Sequence, residues 1–174
     1  EDEERVKEKL KRLLEKAEEA LRRSKRRNEE NKKEHERVLK EIDERLKRLE
    51  EKVRRGNLER RTVEEIRRIL EDIKRKLDKL TKESEDLHRR NDERVKEVFR
   101  RIEKLIRDIE EDIKAGRSRE DIERLLKELD DRIRRIIEEL KRSDEELHKE
   151  NRRKIKELED LVREADKRIE DKRK

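Results

Sequence analysis

Three imidazoles, His35, His88 and His148, are the only side chains here that ordinarily titrate near neutrality, and there is no cysteine to act as ligand, nucleophile or disulfide partner. Each histidine has small polar residues at helical spacings. Ser24, Asn28 and Asn31 precede His35, Ser84 and Asn91 flank His88, and Ser143 and Asn151 flank His148. Imidazole with hydroxyl and amide groups suits four kinds of chemistry. It can ligate a transition metal, activate a serine, take up protons below neutral pH, or form a closed hydrogen-bonded network in a core. Which of these applies depends on the elements that carry the residues.

Those elements are legible from periodicity. From Val6 the apolar or small-polar positions are Leu10, Leu13, Ala17, Ala20, Ser24, Asn28, Asn31, His35, Val38, Ile42, Leu46, Leu49 and Val53. Five such positions per 18 residues is one every 3.6, the period of a straight α-helix rather than of a left-handed supercoil. The same seam recurs sixty residues on, from Ile66 through Ser84, His88 and Asn91 to Ile113, and again from Ile122 to Ile169, blurred between Leu140 and Ile155. This regularity outweighs the alternative of disorder, which 64% charged and 1% aromatic residues would otherwise suggest. Gly56 is read as a left-handed helix stop, Thr62 with Glu65 as a capping box, and Gly116 with Ser118 as the second stop and start. The expectation is an all-α, antiparallel up-down-up bundle of three long, nearly straight helices, about 2–55, 62–115 and 118–172, forming one domain over 1–174. The first connection is expected to be the longer.

Antiparallel register, taken from Val53 near Ile66 and Ile113 near Ile122, collects the polar seam residues into three adjacent layers. Asn28 meets Asn91 with Ser143 or Asp144, Asn31 meets His88 with His148 or Leu147, and His35 meets Ser84 and Asn151. Buried amides and imidazoles are tolerated when they satisfy one another, and such a network penalises every other register. In this register His35 sits one helical turn, about 5 Å, from the layer of His88 and His148, which argues against a metal site. No metal or cofactor is expected. A packed interior leaves no room for substrate beside Ser84 or Ser143, so no enzymatic activity is expected either. Proton uptake stays open, because burial of a neutral imidazole lowers its pKa and makes acid destabilising.

The surface is nearly all Glu, Lys, Arg and Asp, with 59 basic and 53 acidic residues leaving a net charge of +6. The run Arg22, Arg23, Lys25, Arg26 and Arg27 suits nonspecific contact with a polyanion, but with Phe99 as the one aromatic there is no stacking platform for specific nucleic-acid recognition. Apolar runs stop at two residues, too short for a membrane span or a signal-peptide core, so no targeting signal is read and the location is left unassigned. No partner is required, and the expected state is a monomer or a homo-oligomer.

The repeated 18-residue seam, the GNLERRTVEE and AGRSREDI connections and the Ser84/His88/Asn91 and Ser143/His148/Asn151 clusters resemble de novo designed helical bundles with buried hydrogen-bond networks. That resemblance implies a structural scaffold or assembly subunit. It also implies a second possibility, since designed bundles with buried histidine networks include pH-responsive oligomers and fibres.

Overall fold

The computed structural model describes residues 2–173 and contains three helices, α1 (Asp2–Arg55), α2 (Arg60–Lys114) and α3 (Arg119–Lys172). They form a three-helix bundle running up, down and up. Helix formation follows from a sequence of strong helix formers without proline, reinforced by pairs one turn apart such as Arg23 with Glu19 at 2.8 Å and Arg37 with Glu41 at 3.0 Å.

The chain divides into two compact units, Glu1–Glu29 with Arg89–Glu146 and Glu30–His88 with Leu147–Lys174. In the second unit Ile42, Leu46, Leu49 and Val53 of α1 pack with Ile66, Leu70, Ile73 and Leu77 of α2 and with Ile155, Leu158, Val162 and Ile169 of α3. Lys52 reaches from α1 to Asp166 and Glu170 of α3 at 3.0 and 2.9 Å, and these bonds, Glu170 first, hold its ammonium above the usual lysine range. In the first unit Leu10 and Ala17 pack with Ile102, Ile106 and Ile109 and with Leu126, Leu129 and Ile133. A smaller cluster of Leu21, Val95 and Leu140, with Phe99 beside it, belongs to the same unit.

The connections differ from expectation in three respects. Both links have the same length, residues 56–59 and 115–118, because α2 begins at Arg60 and not after Thr62. Thr62 therefore does not cap α2: the amide of Val63 already donates to the Glu59 carbonyl at 3.0 Å. The cause is apolar. Leu58 and Val63 both pack against the core, at the spacing of a hydrophobic staple across an N-cap at Glu59, and that burial draws the helix start forward. Gly56 is not left-handed either, since positive φ among the described residues is found at Gly116 alone. Its amide donates to the Lys52 carbonyl at 2.8 Å, and a β-carbon there would lie 3.0 Å from that oxygen, so close approach is what the glycine accommodates.

The second link matches its reading. Gly116 has φ of 76° and donates to the Ile113 carbonyl at 3.2 Å, while the Ser118 hydroxyl accepts from the Asp121 amide at 3.2 Å. Nothing lies within 4 Å of a β-carbon added at Gly116, so Gly116→Ala pays only the backbone cost of a left-handed alanine. That cost is about 1 kcal/mol, a fall of about 2–4 °C in melting temperature by circular dichroism. Gly116→Asn is expected to lose less, because asparagine tolerates this conformation.

Candidate functional site

Two polar clusters interrupt the apolar cores, one in each unit. In the unit containing the histidines, Asn151 is the pivot. Its side-chain nitrogen lies 2.7 Å from Nδ1 of His35 and 3.0 Å from Oγ of Ser84, so α1, α2 and α3 each contribute one buried group. His35 Nδ1 is also 3.3 Å from Nε2 of His88, and its Nε2 is 3.1 Å from Nδ1 of His148. The rings of His35 and His148 are stacked with centroids 5.1 Å apart.

These distances fix the proton positions once the amide is oriented. An amide nitrogen only donates, so His35 Nδ1 accepts and the neutral ring carries its proton on Nε2. That proton points at His148 Nδ1, which therefore accepts, while the single lone pair of His35 Nδ1 is taken by Asn151 and His88 Nε2 approaches the same atom at 3.3 Å. A further proton on His35 Nδ1 would set N–H against N–H at Asn151.

Burial acts in the same direction. His35 is 2% exposed and its pKa is lowered from 6.5 to about 4, chiefly by loss of solvation and then by the charges that His88 and His148 carry when protonated. Among charged neighbours, Glu34 pulls the value up and Arg152 pushes it down.

The expectation that all three histidines are buried is corrected: His88 and His148 are half-buried, as are Leu87 and Leu147. Helix geometry explains it. At 3.6 residues per turn, a residue four positions on lies about 40° round the helix and one three positions on about 60° the other way. Residues 87 and 88 thus straddle the line between buried positions 84 and 91, and 147 and 148 straddle that between 144 and 151. Asn31 and Lys32 share a level of α1 in the same fashion, and Asn31 is half-buried, not a core residue. The histidines sit off the seam and reach inward to His35, which closes the one-turn separation expected between them. Because His35 turns opposite ring nitrogens to its two neighbours, the three do not converge on one point, and no metal-holding group of three side chains occurs among the described residues.

In the other unit the centre is a carboxylate. Asp144, 2% exposed, accepts from Ser24 Oγ at 2.7 Å, from the Arg27 guanidinium at 3.0 Å and from the Asn28 amide at 3.4 Å. Ser143, expected in this layer, is half-buried and yields the seam to its neighbour. The reason is angular: position 144 lies about 40° and 20° from the seam at buried Leu140 and Asn151, and position 143 about 60° and 80°. Asn91 is buried as expected, but its Oδ1 has no hydrogen-bond partner, nor has the buried Nε of Arg27. Arg27, read from sequence as part of a solvated basic run, is half-buried against Asp144. Arg22 and Arg23 of that run pair with Glu18 at 3.8 Å and Glu19 at 2.8 Å.

No helix of the described residues is long and apolar enough to cross a membrane. No protein-family model, curated protein or solved structure matches the chain.

Proposed function

We propose that this protein is a de novo designed structural bundle, a scaffold or assembly subunit in which buried polar groups select one packing of three helices. The observation that carries this reading is the His35–Asn151–Ser84 contact set, which takes one buried group from each helix. Sliding any helix by one residue sets an amide or imidazole against Leu or Ile, at a cost of roughly 1–3 kcal/mol per unsatisfied group. The cores alone lack that selectivity, since Leu, Ile and Val repeat at every level. The reading assigns no catalysis, because Ser84 is engaged by Asn151 rather than by a base.

The test is to replace Ser84 by Ala and His35, His88, His148 and Asn151 by Leu. This variant is expected to stay helical and to resist denaturant as well as the parent, yet to give several species in size-exclusion chromatography with light scattering and broadened amide NMR signals. A single sharp species would overturn the specifying role.

The linked imidazoles favour a second reading, in which acid loosens the packing. Light scattering at pH 7 and pH 4 separates the two. A 21.8 kDa species at both values supports the constitutive scaffold. A larger species at pH 7 that dissociates at pH 4, and fails to do so with His35→Gln, makes the histidines a switch.

A further inference from the structure

Between α1 and α2 in the unit that contains Asp144 lies a groove of about 290 Å³ floored by Leu21, Val95 and Phe99. The local core is thin: it consists of Leu21, Val95 and Leu140, with Phe99 beside it. Phe99, the one aromatic residue of the chain, lies half-buried along this gap rather than in the centre of the bundle. The rim is charged and unbalanced. Glu18 faces Arg22 at 3.8 Å, which leaves Lys25 and Lys96 of the lining against Asp92 alone. A larger groove of about 410 Å³ over Leu105 and Ile136 is walled by Arg101, Lys104, Arg132 and Arg135 and lacks a comparable apolar floor.

We infer that the Leu21–Val95–Phe99 groove binds one small amphipathic anion, its flat apolar body on Phe99 and Val95 and its sulfonate or carboxylate at Lys25 and Lys96. The volume lies near the lower end for small-molecule sites, which start at about 300 Å³, so it suits a compact ligand and not a polymer. The apolar floor supplies affinity through burial, and the two lysines select sign. A cationic amphiphile of the same shape is disfavoured by the same rim.

The probe is 1-anilinonaphthalene-8-sulfonate, titrated by fluorescence and calorimetry at pH 7 into the intact chain. The expected result is saturable, blue-shifted binding at one dye per chain, with amide NMR shifts confined to the neighbourhood of Leu21, Val95 and Phe99. Lys25 and Lys96 are exposed, so the Lys25→Glu/Lys96→Glu double variant keeps its fold, as circular dichroism will check, and is expected to bind about tenfold more weakly. Phe99→Ala is expected to remove the blue shift. Absence of saturation, a different stoichiometry, shifts elsewhere in the chain, or unchanged affinity in the lysine variant would each overturn the assignment.

Discussion

Asp144→Ala is expected to destabilise the protein by about 3 kcal/mol, seen as a fall of about 6–12 °C in melting temperature at pH 7. The carboxylate is the common acceptor of Ser24, Arg27 and Asn28, and its removal strands all three donors at once. Deleting one member of a buried ion pair ordinarily costs about 3–5 kcal/mol, because the remaining charge stays buried without a partner. Arg27 puts the value at the lower end: its side chain is 36% exposed, so the guanidinium can turn to water. Asp144→Asn keeps an acceptor oxygen for Ser24 and Arg27 but loses the charge and the acceptor for the Asn28 amide, and about half the penalty is expected. Replacing the whole set, with Ser24→Ala, Arg27→Leu, Asn28→Leu and Asp144→Leu, removes the stranded donors together and is expected to return stability to the parent level or above. Urea denaturation of the three variants decides the matter. A single-variant cost below about 1 kcal/mol would mean that Asp144 does not hold the cluster together.

Asp144 also marks where the sequence stops being readable by spacing alone. Wherever two seam residues are separated by a clean step of four, as from Ile42 to Leu46 or from Ile66 to Leu70, buried positions follow directly. Ambiguity arises where a seven-residue interval has to be divided and two neighbours straddle the line. Where both neighbours are apolar composition does not choose between them, and Leu39 is buried in place of the expected Val38; at 87/88 and 147/148 Leu and His compete, and both end half-buried. Angular arithmetic on buried neighbours does select 144 over 143, though it requires knowing that 140 and 151 are buried. Arg27 was beyond such arithmetic: a long side chain beside the seam reaches a buried carboxylate on another helix, and only the fold brings the two together. Helix ends show the same division. Ser118 caps by a local bond to its own chain, legible from four residues, whereas the start of α2 is set by the packing of Leu58 and Val63 on a core made by all three helices.

Acid is expected to remove about 3 kcal/mol of stability through His35 alone. The imidazole has a pKa of about 4 in the fold against 6.5 for the free side chain, so between those values the unfolded chain binds a proton that the folded chain refuses. A base whose folded-state pKa is lowered contributes its full stability above pH 6.5, and that contribution drains away as pH falls towards and through 4. The 2.5-unit difference corresponds to about 3 kcal/mol below pH 4, at about 1.4 kcal/mol per unit. Glu and Asp side chains titrate at the lower end of the same window, which makes comparison with a variant essential. His35→Gln is less stable than the parent at pH 7, because His88, His148 and Asn151 lose a partner, but it has no imidazole to protonate at that position. Urea denaturation at pH 7, 6, 5 and 4 is therefore expected to show the parent's advantage over His35→Gln shrinking by about 3 kcal/mol across the series. Two curves that stay parallel would sink the idea. Nitrogen-15 shifts of the His35 ring at neutral pH, reading its proton on Nε2, would establish that Nδ1 is the acceptor which protonation of the folded chain has to sacrifice.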